Sequence, residues 1–241
     1  NEVTFATGAK FSLYTFFMAV VNPGDEVIIP TPYWVSYGDQ VKMAEGVPVF
    51  VQAKEDNHFK VTVEQLEAAR TDKTKVLVLN SPSNPTGMIY SREELMAIGN
   101  WAVAHDVLIL ADDIYGRLVY NGNEFVPISS LSETIRKQTI VINGVSKAYA
   151  MTGWRVGYAV GNPEIIAAMS KLTGQTTSNL TAVSQYATIE ALTGPQDSVE
   201  TMRQAFEERL NTIYPLFCQV PGFEVVKPQG AFYLFPNVKK A

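Results

Sequence analysis

Short runs that are apolar at every position, not at every second one, constrain this chain most. Val27-Ile28-Ile29, Val76 to Leu79 and Val107 to Ala111 are of this kind, and each is bounded by turn-forming or polar residues. A strand that is apolar toward both sides is covered on both sides, and the sheet that places it there is mostly parallel with helices on its two faces. The segments between the runs supply those helices. Apolar spacing near 3.6 predicts a helix over Ala9 to Val21, closed by Asn22-Pro23-Gly24-Asp25, and further helices over Tyr33 to Ala44 and Val63 to Arg70. Ser91, with Glu94 three residues later, forms a capping box for a helix ending near His105. Val47 to Val51, Lys75 to Leu79, Val107 to Leu110, Thr139 to Ile142 and Arg155 to Val160 read as strands. The expected fold class is therefore α/β, a three-layer sandwich around a mostly parallel sheet.

Helical patterns prevail from Pro163 to about Gln219, the longest over Ser198 to Gln219. The tail from Phe223, with a strand-like Ala231 to Phe235, reads as the opening of another unit. The expected division is a large domain over residues 1–205 and an incomplete, smaller α+β domain over 206–241. The chain opens on Asn1 and is already at a motif by Gly8, which suggests a fragment.

Composition narrows the function. A net charge of −5, with no basic run, argues against a nucleic-acid partner. The single Cys218 excludes a disulfide framework and, with only His58 and His105 beside it, supplies too few ligands for a zinc site, so no metal is expected. No apolar stretch approaches the roughly 20 residues that span a bilayer. A soluble, cytoplasmic protein is the expectation.

In an open α/β sheet, ligands sit beyond the carboxyl ends of the strands. Three polar places stand there. Asn84-Pro85-Thr86-Gly87 follows one strand, Asp112 with Tyr115 follows the next, and Gly144-Val145-Ser146-Lys147 follows the third. Taken singly these are a turn, a helix cap and a solvated lysine. Together they suit one cofactor. A lysine on a small-residue loop can form a Schiff base with pyridoxal phosphate, which also needs an acid on its ring nitrogen, a donor to its phenolic oxygen and a seat for its phosphate. Gly8-Ala9, opening a helix, offers free N–H groups to an anion, and Arg155 adds a bidentate cation.

The run from Gly144 through Lys147, Trp154 and Arg155 to Gly157 resembles the lysine-attachment signature of the fold-type I pyridoxal-phosphate aminotransferases of classes I and II, closest to the bacterial aspartate aminotransferases. The likeness extends through Asn22 to Val27, Pro32-Tyr33-Trp34, Asn84 to Gly87, Asp112 to Tyr115 and Gly230 to Tyr233. It implies that Lys147 carries the cofactor and moves the proton, that Asp112 holds the ring nitrogen, and that Tyr115 and Asn84 bond the phenolic oxygen. It implies further that Trp34 stacks on the ring and that Gly8, Ala9 and Arg155 hold the phosphate. Lys10 follows the phosphate seat and leans the substrate toward aspartate and 2-oxoglutarate; Trp34, Asn84 and Lys10 border that substrate. A homodimer is implied, and the expected reaction is ping-pong transfer between an L-amino acid and a 2-oxo acid. Asp113 is expected to face away in a structural role.

The sequence departs from the family at Gly144, where many relatives carry a phosphate-bonding Ser or Thr; either Ser146 bonds the phosphate in its place or the phosphate has one contact fewer. The family's arginine for the substrate carboxylate is expected beyond Ala241, and a site-closing segment before Asn1. A chain of this length alone is expected to transaminate weakly or not at all. The alternatives are an aromatic, alanine, prephenate or broad-range aminotransferase, a lyase of the same fold, or a non-catalytic pyridoxal-phosphate-sensing domain. A P-loop hydrolase fails, because Val3 and Phe11 stand where a Walker loop needs its first glycine and its Ser/Thr.

Overall fold

The structure is a computed structural model, described from Glu2 to Ala241. Its elements, in chain order, are β1 (Val3–Thr7), α1 (Ala9–Val20), β2 (Glu26–Thr31), α2 (Ser36–Met43), β3 (Val47–Gln52), α3 (Val63–Ala69), β4 (Thr74–Asn80) and α4 (Arg92–Ala104). There follow β5 (Leu108–Asp112), α5 (Glu133–Lys137), β6 (Thr139–Gly144), β7 (Val156–Val160), α6 (Pro163–Thr176), α7 (Ala182–Thr193), α8 (Asp197–Cys218), β8 (Glu224–Val225) and β9 (Pro236–Asn237).

Seven strands form one sheet in the order β1-β7-β6-β5-β4-β2-β3. β7 runs antiparallel to both of its neighbours, β1 and β6, and every other pairing is parallel. The α/β sandwich expected from the doubly apolar strands is thus the observed one. Side chains alternate between its two faces, as the pleat requires. Val27, Ile29, Val76, Val78, Leu110 and Ile140 pack with Leu13, Phe16 and Phe17 of α1 and Met169 of α6. Ile28, Leu77, Leu79, Ile109 and Ala111 pack on the other side with Leu66 of α3, Leu95 and Trp101 of α4 and Ile135 of α5. Each such large side chain, fully buried, contributes about 1.5–3 kcal/mol.

Helix starts follow local chemistry. Ser91 and Glu94 form the expected capping box on α4, and Thr62 with Gln65 forms a second on α3. α1 has no side-chain cap; its N-cap is Gly8, at φ 92°, and its first turn carries no acid. The start of α1 therefore keeps its amide dipoles for an external anion.

Three expectations shift. The helix expected over Tyr33 to Ala44 begins at Ser36, because Pro32 to Val35 form a turn that swings Trp34 inward, with Tyr37 N–H donating to the Trp34 carbonyl at 3.1 Å. Arg155 is not in a strand: it takes a left-handed conformation, φ 54°, and β7 starts at Val156. β1, where no element is expected from the sequence, is an edge strand on β7. Ala231 to Phe235 is not a strand either. Its approach pairs with the segment after β5, through Tyr120 N–H to the Gln229 carbonyl (3.0 Å) and Ala231 N–H to the Leu118 carbonyl (2.9 Å). Its apolar side chains join Tyr115, Leu118 and Tyr120 in a third cluster with Phe206 and Leu210 of α8. α8 runs unbroken through residues 205 and 206.

Candidate active site

One edge of the sheet gathers the carboxyl ends of β1, β2, β4, β5 and β6. Because β7 is antiparallel, its amino end lies at the same edge, with Thr7 opposite Val156 and Gly144 opposite Gly157. A cavity of about 230 Å³ opens there. Ala9, Lys10, Trp34, Asn84, Asp112, Tyr115, Ser146, Lys147 and Arg155 all line it. Of the residues singled out from sequence only Gly8 stands behind the wall, and its place there has a reason. A Cβ on Gly8 would run into the Arg155 guanidinium, and one on Gly157 would run into the Gly8-Ala9 backbone. The two glycines let β7, the start of α1 and Arg155 close on one another. The Arg155 side chain is braced by an Nη1 bond to the Thr152 carbonyl at 2.7 Å.

Asp112 ends β5 and is buried. Its Oδ2 accepts from the Tyr37 hydroxyl at 2.6 Å, and its Oδ1 from the Ile114 N–H at 3.2 Å. Burial pushes its pKa up, against the pull of those two donors and of the Lys147 charge. Asp113 faces away from the cavity, as expected. Burial, and secondarily the charge of Asp112, pushes its carboxyl to about 8, so it is uncharged at neutral pH.

Across the cavity, the Tyr115 and Tyr233 hydroxyls meet at 2.5 Å, and Asn84 Nδ2 donates to Tyr233 at 3.2 Å. Asn80, at the end of β4, ties this side to the acid: its Nδ2 donates to the Asp112 carbonyl at 2.8 Å and its Oδ1 accepts the Asn84 N–H at 2.7 Å. Lys147 Nζ lies 5.9 Å from the Tyr115 ring centre and 5.3 Å from that of Phe232. Burial, then the Arg155 charge, lowers its pKa below that of an ordinary lysine. Lys10 Nζ sits 4.8 Å above the Trp34 ring. Ser146 reaches the cavity whereas Gly144 ends β6, where a Cβ would press on the Val156 carbonyl.

Sequence reasoning missed Asn80 and Tyr37, and it quoted Tyr233 without a role. Tyr37 falls at helical spacing in α2 and reads as core; its polar tip was the available signal, since a buried tyrosine hydroxyl usually finds a partner. Asn80 offered the signal of a polar residue closing a doubly apolar strand.

The arrangement fits the group that the resemblance implies. A cation and open helix N–H groups stand at one end for a phosphate, a buried carboxylate at the other for a basic ring nitrogen, an indole beside the cavity, and an amine of lowered pKa between them.

Comparison with known proteins bears on the same point. The profile of the family "aminotransferase class I and II" matches residues 1–241. The chain belongs to this aminotransferase family. Among its relatives in the family, an asparagine--oxo-acid transaminase of Streptococcus mutans is 75% identical over 241 residues, and an aspartate aminotransferase of Bacillus sp. (strain YM-2) is 59% identical. All of this chain is covered in both alignments, against 61% and 62% of those proteins, so this family member spans about three fifths of their length. The crystal structure of the Rhizobium meliloti aspartate aminotransferase superposes with a TM-score of 0.97 at 43% identity, covering 99% of this chain and 60% of that one.

Proposed function

We propose that this chain holds the cofactor-binding part of a pyridoxal-phosphate-dependent aminotransferase that exchanges an amino group between an L-amino acid, aspartate foremost, and a 2-oxo acid, 2-oxoglutarate foremost. The observation that carries the reading is the opening of Lys147, Asp112 and Arg155 onto one cavity at the carboxyl edge of the sheet. Arg155 and the first N–H groups of α1 bind the phosphate. Asp112 keeps a proton on the ring nitrogen, and Tyr115 and Asn84 orient the phenolic oxygen. When bound, pyridoxal phosphate supplies a sink for the electron pair left on the substrate α-carbon after its proton is removed. Lys147 takes and returns that proton at Nζ. Its lowered pKa suits the task, because a base works best when its pKa lies near the working pH. Trp34 covers the ring and helps to exclude water, and Lys10, held over that indole, offers its ammonium to a substrate side-chain oxygen.

A second donor is favoured by the 75% identity to a protein named asparagine--oxo-acid transaminase. An ammonium can donate to an amide carbonyl as it does, more strongly, to a carboxylate, so Lys10 suits asparagine as well as aspartate. The working unit is a homodimer. Val183, Tyr186, Ile189 and Leu192 are exposed apolar residues of α7, and Ile189 and Leu192 line a surface cavity with exposed Val3 and Phe5 of β1; exposed apolar surface of this kind supports that assembly. Among the described residues no helix is long and apolar enough to cross a membrane.

The test is an absorption spectrum of the full-length protein with pyridoxal phosphate, before and after L-aspartate and, separately, L-asparagine. A band that is lost in Lys147→Ala and converted by either amino acid is expected, with amino transfer lowered at least about 1,000-fold in the variant. A Lys147-dependent band that no amino acid converts would favour a sensing domain. Absence of any such band would end the cofactor reading.

A further inference from the structure

Tyr37 is 2% exposed, projects from α2 into the core, and aims its only polar atom at Asp112 Oδ2, 2.6 Å away. Its ring meets Trp34 edge-on, at 5.5 Å and 90°, so packing fixes the direction of the hydroxyl. Burial and the neighbouring carboxylate push the phenol pKa well up, which makes Tyr37 the donor and Asp112 the acceptor. With Oδ1 taken by the Ile114 N–H, the carboxylate is gripped at both oxygens and cannot rotate.

We infer that Tyr37 is a positioning residue that acts through Asp112, holding that buried carboxyl in its charged form and turned to receive a protonated ring nitrogen from the cavity. The inference rests on the pyridoxal-phosphate reading for its consequence, but the Tyr37-to-Asp112 link stands on this geometry alone. Lys147, from the loop after β6, is the acid's one adjacent cation; Arg155 stands at the far, phosphate end. Asp113 is uncharged at neutral pH, and Tyr115 and Tyr233 are phenols bonded to each other. Burial favours the neutral acid, so removal of the Tyr37 donor moves Asp112 toward protonation, and a neutral acid no longer stabilises a pyridinium.

Two measurements on Tyr37→Phe test this. The first is the carboxyl titration of Asp112 without cofactor, followed by carbon-13 NMR and assigned by its absence in Asp112→Asn. The Asp112 midpoint is expected to rise by about one pH unit, the effect of losing one hydrogen bond to a charged group. An unmoved midpoint overturns the inference, whatever the protein binds. The second is the dissociation constant for pyridoxal phosphate across pH 5 to 9. Tyr37→Phe is expected to weaken binding about 10-fold near pH 7, to shift the acid-side loss of affinity upward by the same interval, and to have no further effect in an Asp112→Asn background. A loss that is equal at every pH and in both backgrounds would assign Tyr37 to packing alone and overturn the inference. If the wild type shows no Lys147-dependent binding, the cofactor reading fails, while the titration still decides the Tyr37 link.

Discussion

At the scale of single residues, charge state is set by what is buried next to what. Arg155 reaches the cavity by way of a left-handed backbone that a strand would not have allowed, and its guanidinium is wedged against a glycine. Lysine keeps the charge but not the planar fork, so Arg155→Lys is expected to weaken pyridoxal phosphate binding about 10-fold, read by equilibrium titration, with no loss of fold. Asp113 makes a different prediction. Its carboxyl holds its proton to about 8 in the folded chain, against 3.8 for an ordinary aspartate. Between those values the folded state binds the extra proton, so stability falls as pH rises through that window. Asp113→Asn removes the penalty. The variant is expected to be more stable than wild type by about 1–3 kcal/mol in urea at pH 8, and to lose that advantage at pH 4.

Elements decide where those residues meet. The junction of β7 with the start of α1 depends on Gly157, where a Cβ would strike backbone and not a yielding side chain. Gly157→Ala is expected to destabilise the chain by about 2–4 kcal/mol in urea unfolding and to lower affinity for the phosphate end of the cofactor. Ser91→Ala, which breaks the α4 capping box far from the cavity, is expected to lower stability by about 1 kcal/mol and leave cofactor affinity unchanged. These elements also explain what was legible in the sequence. β2, β4 and β5 are buried on both faces, and burial writes itself as unbroken apolar runs. β1 is an edge strand with Val3 and Phe5 half exposed, so neither a continuous run nor a long alternation marks it. The antiparallel sense of β7 leaves no trace in composition; it appears only once the short connection from Gly144 to Val156 is seen to turn back. Lys147, Asp112 and Asn84 could be read because each stands at or just beyond the end of a strand at the ligand-binding edge, and Arg155 because it follows Lys147 by eight residues. Tyr37 and Asn80 act through another residue of the site, and spacing along the chain does not encode such a partnership.

For the molecule as a whole, the tail is the least legible part, because its apolar run from Ala231 to Phe235 serves packing against the segment after β5 and not a ladder of its own. Tyr233 enters the cavity by that route, and Tyr120 fixes the turn through its hydroxyl bond to the Ala231 carbonyl. The exposed apolar residues of α7 give a prediction at this scale. Tyr186 is 76% exposed and Val183 70%, so a paired Val183→Asp, Tyr186→Asp change leaves the core intact. Light scattering is expected to show a dimer for the wild type and a monomer for the double variant, with unchanged circular dichroism; a monomeric wild type would sink the assembly. The sheet order β1-β7-β6-β5-β4-β2-β3 also sets a timetable for synthesis. Of the seven strands of this sheet, the first in chain order has a single neighbour, and that neighbour is the last of the seven to be made. The acid end, from α2, β4 and β5, is contiguous in the chain and can consolidate early, whereas the anion end waits until Val156 has emerged. A nascent chain arrested before that point holds its aspartate in place and has nowhere to put a phosphate.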